Sequence, residues 1–317
     1  MKIYETIMLE EAFMIPNTIK PYISVGQQKR VLFENIVDDF FEDFDTHLYI
    51  RGQAGVGKTY TVLEKADQHN TILCHIEGNI TRWLFMKKLA VYLYNAGWPT
   101  ANMREGKDFD AEDLPKVVVY IDDCPAIFNG DFIDTMKIAL EQESSDKLVY
   151  NSSLGAQYKQ SENFEKEAID NFRKEMEPGF TIPFYGRVKF IFTMNHALAT
   201  ELDVAEAKRT GKSMKIQNDL EDRYAIFSRL SYEDLYMNKN EYWGWIADLV
   251  LNNNMLAQAS QDDKEEMLSW LYDNWDNLKD KSVRMVKQKL WKDLYKAKSR
   301  PNHDYRSRWQ SLVKTAA

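Results

Sequence analysis

Cysteine is scarce in this sequence. Its 317 residues include two cysteines, Cys74 and Cys124, and no grouping of histidine and cysteine has the spacing of metal ligands. Two cysteines cannot form the disulfide framework of a small secreted domain, and the spacings argue against a zinc site. The cysteine content fits a reducing compartment.

Long apolar runs, internal repeats and low-complexity stretches are also lacking. No segment approaches the roughly 20 apolar residues that a membrane-spanning helix requires. The opening MKIYETIMLEE lacks the pattern of a cleavable signal peptide. We therefore expect a cytoplasmic protein that has no membrane partner.

What is present is the composition of a globular protein, with 44% hydrophobic and 28% charged residues. A chain of this length exceeds the usual size of one core, so we expect two domains. The net charge of −8 argues against a protein that coats nucleic acid over its whole surface. The charge is uneven, because residues 279–317 carry twelve Lys or Arg and three Asp, a net +9 that leaves −17 for the rest.

A glycine-rich motif organises the chain at residues 47–60, HLYIRGQAGVGKTY. Residues 48–50 predict a buried strand, 52–59 match G-x-x-x-x-G-K-T, and TVLEKADQ predicts a helix. In that context glycines let successive N–H groups turn towards phosphate oxygens, and the helix N-terminus adds partial positive charge. Lys58 is predicted to reach the β- and γ-phosphates of a nucleotide, and Thr59 to ligate Mg²⁺. The predicted nucleotide-binding residues here are Gly52, Gln53, Ala54, Gly55, Val56, Gly57, Lys58, Thr59 and Tyr60.

Two further predicted strands end in polar residues. KVVVYIDD, at 116–123, is an unalternating apolar run that predicts a parallel strand buried on both faces. At its end Asp122 fits a Mg²⁺ ligand and Asp123 a group that orients the attacking water, or the two form a turn before Pro125. RVKFIFTM, at 187–194, predicts another strand, after which Asn195 either contacts the γ-phosphate or its water, or caps a turn.

The apolar pattern also predicts the domain organisation. We expect a mixed lead-in at 1–26, in which Pro16, Pro21 and Gly26 act as breakers, and a boundary near Ser231. The predicted regions after the lead-in are a nucleotide-binding core at 27–230 with an insertion at about 152–180, a helical lid at 231–298 and a basic tail at 299–317. Additional strands are expected at 71–77, 147–151 and 224–227, and helices at 27–44, 81–95, 132–142, 240–252, 262–276 and 281–298.

Taken together, the motifs resemble those of AAA+ ATPases over about residues 25–298. GQAGVGKT resembles Walker A, VVVYIDD resembles Walker B, and FIFTMN resembles sensor 1. LEDRYAIF, at 220–227, resembles the segment in which an arginine finger precedes the last core strand, and SVRMVKQKL, at 282–290, resembles the sensor 2 helix. More narrowly, IDDCPAIFNGDFIDTMKIALEQ, KLVYN and IPFYGRVKFIFTMN resemble a loosely characterised group of viral and prokaryotic AAA+ ATPases.

The resemblance implies a fold and a function. The fold is α/β, a P-loop NTPase parallel sheet sandwiched by helices, with a small C-terminal all-helical lid domain. The function is Mg²⁺-dependent ATP binding and hydrolysis by a ring or spiral homo-oligomer, in the cytoplasm of a prokaryotic host if the protein is viral. Its work is expected on nucleic acid or on a nucleic-acid-bound protein, in replication, packaging or loading.

The same resemblance assigns roles to individual residues. The implied catalytic residues are Asp123, Lys58, Asn195 and Arg223, and Arg223 would reach a neighbouring subunit's γ-phosphate. Arg229 is the alternate finger, and an ordinary surface ion pair is the alternative for either arginine. Arg284 would contact the nucleotide in cis from the lid, or be an ordinary basic residue of its helix.

One residue departs from the family pattern. AAA+ Walker B motifs usually end in Asp-Glu, whereas this one ends in Asp122-Asp123. Because aspartate is one methylene shorter, a slow ATP-dependent binding switch or scaffold without motor activity is the alternative function. Glu77 is the next candidate for orienting water. A phosphate-loop kinase is a further alternative that the lid helices disfavour.

A nucleic-acid contact is expected at the basic C-terminal segment. Its Lys and Arg residues interleave with aromatic rings, a combination that suits single strands: Trp291, Tyr295, Tyr305 and Trp309. Alternatively, the lysines of 281–298 are the solvated face of the last lid helix. Arg306 and Arg308, beyond Pro301, are therefore the better candidates for nucleic-acid contact. The tail that carries them has few apolar residues, so packing in a core explains its presence less well.

Overall fold

The computed structural model describes residues 15–43, 46–98, 111–128, 130–141, 147–150, 180–184, 186–253, 255–300 and 302–314. The chain divides into two compact units. The sheet unit contains residues 36–52 and 58–235, and the helical unit contains residues 1–35, 53–57 and 236–317. No helix in the described ranges has the length and apolar character needed to cross a membrane.

The sheet unit is built on five parallel strands in the order β2-β3-β6-β1-β7. The strands of this sheet are β1 (His47–Arg51), β2 (Ile72–Glu77), β3 (Val117–Asp122), β6 (Val188–Met194) and β7 (Leu230–Asp234). A separate antiparallel pair is formed by β4 (Lys147–Tyr150) and β5 (Phe180–Pro183). Because parallel neighbours require crossover connections, helices alternate with the strands along the chain.

The helices of this unit are α2 (Lys58–Gln68), α3 (Arg82–Asn95), α4 (Asp131–Ala139), α5 (Glu201–Arg209) and α6 (Met214–Phe227). Helix α1 (Lys20–Asp43) contributes residues 20–35 to the helical unit and 36–43 to the sheet unit. Thr81 caps α3 by accepting the N–H of Leu84, and Thr200 forms a capping box with Asp203 at the start of α5. These caps satisfy N–H groups that have no partner within their own helices.

Strand β3 lies at the centre of the apolar core. Residues 117–121 are fully buried. Val117, Val119 and Ile121 belong to one apolar cluster with residues of α3 and α4, whereas Val118 and Tyr120, at alternate positions, point to the other face of the sheet. The predicted strand buried on both faces is therefore confirmed, as is the predicted parallel sheet flanked by helices.

The helical unit has no long strand among its described residues, as the sequence predicts. Its C-terminal helices are α7 (Lys239–Leu251), α8 (Gln261–Asn274), α9 (Val283–Met285), α10 (Trp291–Ser299) and α11 (Tyr305–Gln310), with a π-helical turn at Val286–Leu290 joining α9 to α10. Trp243, Trp245 and Trp275 are buried in this unit. Large aromatic side chains supply much of the apolar area that such a small helical core can bury.

The prediction that Pro21 and Gly26 act as breakers is wrong, because α1 begins at Lys20 and continues through both residues. Pro21 lies in the first turn, where a helix needs no N–H donor. Gly26 is there for packing: a Cβ at this position would lie 2.0 Å from the backbone of Gly244. Because neither glycine has a side chain, the backbones of α1 and α7 can contact each other directly. Gly26 therefore serves helix packing and does not break the helix.

The strand expected at residues 224–227 is also wrong. These residues form the end of α6, and the last core strand is β7 at Leu230–Asp234. A four-residue apolar run has no readable period, so its pattern fits either structure. Ser231 consequently lies inside a core strand, and the structure groups the chain with the sheet unit as far as Leu235. Residues 152–179 of the predicted insertion lie outside the described residues, and Phe180 begins β5.

Candidate functional site

The polar residues predicted at strand ends meet at one edge of the sheet. Strands β3, β6 and β1 are consecutive neighbours and run in the same direction, so their carboxyl ends lie side by side. This edge is where open α/β sheets bind ligands. It brings together Lys58 and Thr59 at the start of α2, Asp122 and Asp123 after β3, and Asn195 after β6.

Lys58 is buried at this edge, with 8% of its surface exposed. Its Nζ donates to the carbonyl oxygen of Gly52 over 2.7 Å and to Oδ1 of Asn195 over 3.0 Å. Burial lowers the pKa of Lys58 to about 8, although the nearby carboxylates of Asp122 and Asp123 act in the opposite direction. The ammonium group is therefore held by neutral oxygens in a poorly solvated position, which favours an anionic ligand.

Asp122 accepts hydrogen bonds from two threonines. The hydroxyl of Thr59 donates to its Oδ2 over 2.7 Å, and that of Thr193 donates to its Oδ1 over 2.5 Å. Thr193 lies beside Asp122 in the register of β3 and β6. Thr193 is not among the predicted site residues, although a threonine within the apolar run FIFTM is a usable signal of a polar contact.

Asp123 has a backbone conformation uncommon for a side-chain-bearing residue. Its φ is +45°, and its N–H donates to the carbonyl of Thr193 over 2.9 Å. The exposed side chain accepts a hydrogen bond at Oδ1 from Nδ2 of Asn195 over 3.3 Å. Asn195 thereby links Lys58 to Asp123 through its side-chain amide.

Residues 53–57 of the glycine-rich loop group with the helical unit, and side chains of that unit hold them. The Gln53 amide donates to the carbonyl of Met237 over 2.6 Å and accepts the Met237 N–H over 3.2 Å. The Tyr242 hydroxyl donates to the carbonyl of Ala54 over 3.2 Å. Val56 is buried at 1% exposure, so the loop has an apolar anchor as well as polar ones.

Two glycines of the loop have left-handed backbone dihedrals, with φ of +79° at Gly55 and +97° at Gly57. Gly55 is also sterically confined, since a Cβ there would lie 2.3 Å from Cβ of Ser282. At Gly57 an added Cβ would meet nothing within 4 Å, so only the dihedral requires glycine. The loop thus has the conformation in which backbone N–H groups can converge on an anion.

The remaining predicted nucleotide contacts lie on exposed positions. Tyr60 is 68% exposed and its hydroxyl donates to Glu64 over 3.2 Å. Arg284 is exposed on α9, one residue after Val283, whose N–H donates to the carbonyl of Gly55 over 3.2 Å. Arg284 therefore lies close in the chain to a residue that holds the loop.

The two candidate fingers lie on either side of the end of α6. Nε of Arg223 is 3.1 Å from Asp219, and Arg223 lines a cavity of about 80 Å³ with Tyr49, Phe128 and His196. Arg229 directly precedes β7, and its guanidinium lies 3.5 Å from Glu141. Within the described chain, both arginines thus make ordinary ion pairs.

The basic C-terminal segment is folded, contrary to the expectation of a tail with little structural reason to exist. Trp309 on α11 is 1% exposed, and its Nε1 donates to the carbonyl of Leu290 over 3.3 Å. Arg306 lies 3.0 Å from Glu266, and Arg308 lies 3.2 Å from Asp293. The apolar side of α11 belongs to the helical core, and its arginines are paired on the surface.

Comparisons with known proteins give distant similarities. No protein-family model matches the chain. In sequence it is similar to the uncharacterized 36.7 kDa protein in the nrdC-mobD intergenic region of Enterobacteria phage T4, with 26% identity over 241 residues. That alignment covers 75% of this chain and 60% of the length of the phage protein. In structure it is similar to Cdc6p from Pyrobaculum aerophilum, with 12% sequence identity, a TM-score of 0.44, and coverage of 96% of this chain and 70% of the other.

Proposed function

We propose that this protein is an ATPase of the AAA+ type, a homo-oligomer that binds ATP with Mg²⁺, hydrolyses it, and acts on nucleic acid or on a protein bound to nucleic acid. One observation carries the proposal: Lys58 bonds Asn195 while Thr59 bonds Asp122, at the ligand-binding edge of a parallel sheet. These side chains come from three separate parts of the chain. A chance glycine turn has no reason to meet a matching amide and two carboxylates there.

The donor set fits a Mg²⁺ ion. Thr59 and Asp122 offer a hydroxyl and a carboxylate oxygen within hydrogen-bond distance of each other. Mg²⁺ is usually bound by one or two carboxylates together with substrate phosphates, which matches this pair. When bound, the ion would neutralise charge that develops on the phosphate oxygens.

Lys58 would hold the phosphates. Its present partners are the neutral oxygens of Gly52 and Asn195, and a charged phosphate oxygen is a stronger acceptor than either. When such an anion takes the Lys58 ammonium, Asn195 remains bonded to Asp123. The exposed Asp123 carboxylate would then orient water for attack, with Asn195 fixing its position.

The preference for ATP and the homo-oligomer follow from the motif resemblance. In an oligomer, Arg223 would leave its exposed pair with Asp219 for a neighbouring subunit's γ-phosphate, since exposed pairs contribute little. Arg284 would act in cis from the start of α9.

A slow ATP-dependent switch or scaffold is the second candidate. The observation that favours it is Asp123 itself, a short carboxylate fixed by its backbone bond to Thr193. Such a protein would bind ATP and change its assembly without repeated turnover.

Turnover and assembly distinguish these functions. ATP hydrolysis should be measured with and without single-stranded DNA, alongside light-scattering mass with and without a non-hydrolysable ATP analogue. The motor proposal predicts analogue-dependent assembly and DNA-stimulated hydrolysis, both lost in Lys58→Ala. Assembly without repeated turnover would favour the switch, a phosphorylated acceptor would point to a kinase, and absence of nucleotide binding would refute all three.

Mixing variants tests the finger. Lys58→Ala and Arg223→Ala are each expected to be inactive, and their mixture should recover activity because each completes the other's interface. Arg229→Ala mixed in the same way is the matched control. Recovery with Arg229→Ala but not with Arg223→Ala would transfer the role to Arg229.

A further inference from the structure

A buried chain of hydroxyl groups leads to Asp122 from beneath the sheet edge. The Tyr120 hydroxyl lies 2.8 Å from Oγ1 of Thr193, and Oγ1 of Thr193 lies 2.5 Å from Oδ1 of Asp122. Tyr120 and Thr193 are both fully buried. The ring of Tyr120 stacks on that of His75 at 4.7 Å with an interplanar angle of 11°, which fixes the direction of its hydroxyl.

The proton positions in this chain follow from chemistry. An ionised carboxylate only accepts hydrogen bonds, so the single proton of Thr193 points to Asp122. Tyr120 must therefore be the donor to Thr193. A tyrosine hydroxyl is protonated at neutral pH, so it can donate this hydrogen bond.

The result is an asymmetric carboxylate. Oδ1 of Asp122 is occupied by a buried, oriented donor, whereas Oδ2 meets Thr59, a residue of the glycine-rich motif. A carboxylate with one oxygen fixed by the protein core has a single orientation for the other. Ligands of metal sites are commonly held in this way by partners that do not touch the metal.

We propose that Tyr120 and Thr193 are positioning residues that orient the Asp122 carboxylate for Mg²⁺. The inference rests on the proposed function, since it concerns the metal that accompanies the nucleotide. It extends that function to two residues of the strands themselves. Neither residue would touch the nucleotide.

The test is a Mg²⁺ titration of the binding of a fluorescent ATP analogue, repeated in EDTA. Thr193→Val keeps the shape but removes the hydroxyl, and we expect it to raise the half-saturating Mg²⁺ concentration about tenfold, the usual scale for a hydrogen bond to a charged group. Affinity in EDTA should stay within about twofold, because Lys58 and the loop are unchanged. Thr193→Ser should behave as the wild type.

Two further variants sharpen the result. Tyr120→Phe should shift the Mg²⁺ midpoint in the same direction by about threefold, and the combination with Thr193→Val should shift it by less than the sum of the two separate effects, because the two residues are coupled through the Thr193–Asp122 hydrogen bond. Thr135→Val, a fully buried threonine of α4, is the control for losing a buried hydroxyl elsewhere in the unit.

The outcomes separate the two proposals. An unchanged or lower Mg²⁺ midpoint in Thr193→Val, or an equal shift in Thr135→Val, overturns the positioning role while leaving nucleotide binding intact. If the wild type fails to bind the analogue at any Mg²⁺ concentration, the proposed function fails and the positioning role with it. If Thr193→Val does not fold, the test rests on Tyr120→Phe. A Mg²⁺ midpoint of Tyr120→Phe equal to that of the wild type would then refute the inference.

Discussion

The side-chain oxygen of Asn195 lies 3.0 Å from the Lys58 ammonium, so a side-chain hydrogen bond links the residue that follows β6 to the lysine of the glycine-rich motif. The nitrogen of the same amide donates to Asp123. If Lys58 binds phosphate and Asp123 orients water, as proposed, a residue placed between them should affect the chemical step more than binding. This arrangement predicts a separation between the two in an Asn195 variant.

Asn195→Ala should lower kcat for ATP hydrolysis by about a hundredfold, the lower end of the range for a removed polar group that acts in the transition state. The dissociation constant for a non-hydrolysable analogue should change by less than about threefold, since Lys58 retains Gly52 and gains the phosphate. His196→Ala is the matched control, because His196 contributes its backbone carbonyl, not its side chain, to Tyr49. Equal losses in kcat and in affinity would place Asn195 in the binding site alone.

The lowered pKa of Lys58 predicts a pH dependence of nucleotide binding. Below pH 8 the lysine is protonated and ready to bind phosphate, whereas above its pKa of about 8 it loses its proton in the ligand-free protein. Affinity should therefore be flat from pH 7 to 8 and fall by up to about tenfold per unit above pH 8. Calorimetry at pH 8.5 in buffers of different ionisation enthalpy should reveal proton uptake on binding. A constant affinity from pH 7 to 9.5 without proton uptake would contradict this assignment.

The same pKa shift has a consequence for stability. The Lys58 pKa in the folded protein lies below its unfolded value of 10.5, so the unfolded chain binds more protons between pH 8 and 10.5. Burial of the charged lysine thus costs stability below pH 8, and this cost declines as the pH rises. In Lys58→Met, the melting temperature should show a smaller rise, or a larger fall, over that interval than in the wild type.

The two left-handed glycines of the loop should respond differently to alanine. Both Gly55→Ala and Gly57→Ala force a side chain into a disfavoured dihedral, at a cost of about 1 kcal/mol. Only Gly55→Ala also places a Cβ against Ser282, so it should melt at a lower temperature than Gly57→Ala. Both should weaken nucleotide binding at least about tenfold, because the loop N–H groups would turn away from the anion. Equal melting temperatures would mean that the contact with Ser282 relaxes without cost.

The φ of +45° at Asp123 offers a physical reason for aspartate where the resembling family usually has glutamate. Aspartate and asparagine tolerate the left-handed region better than longer side chains. Asp123→Asn should therefore preserve the melting temperature and nucleotide binding but abolish turnover, whereas Asp123→Glu should lower the melting temperature. If Asp123→Glu raised turnover without lowering the melting temperature, the length of the side chain, and not the backbone conformation, would limit hydrolysis.

Much of this arrangement was predictable because its signals are local. The loop pattern, the unalternating run ahead of Asp122 and the polar residue after FIFTM each fix an element and its end, and parallel strands bring those ends together. Three features required coordinates. The strand after α6 has a half-buried pattern that its apolar neighbours obscure, the φ of Asp123 has no sequence signature, and Gly26 serves a crossing with Gly244, more than 200 residues away.

The fold of the C-terminal segment also depends on contacts between residues distant in sequence. A test of nucleic-acid binding by this segment must therefore leave its fold intact. Trp309 packs against Trp270 at 5.3 Å and Tyr305 at 5.1 Å between ring centroids, so Trp309→Ala should cost about 3–5 kcal/mol and truncation after Arg300 should destabilise the helical unit. A truncated protein is thus a poor test of binding. The double variant Arg306→Gln/Arg308→Gln removes two ion pairs in which the arginines are exposed and the carboxylates of Glu266 and Asp293 are largely buried. Because glutamine can still donate a hydrogen bond to each carboxylate, the melting temperature should fall by less than in Trp309→Ala.

The double variant therefore isolates charge from fold. If both arginines contact phosphates, its affinity for a short single strand should fall, and the slope of log affinity against log salt should become shallower by about 1.4 units, two single-strand contacts. Lys314→Gln, a basic residue of the same segment with a backbone bond to Asn277, is the control for a general change in net charge. If the double variant and the control have the wild-type slope, the segment's arginines serve the helical unit alone, and any nucleic-acid contact lies elsewhere on the protein.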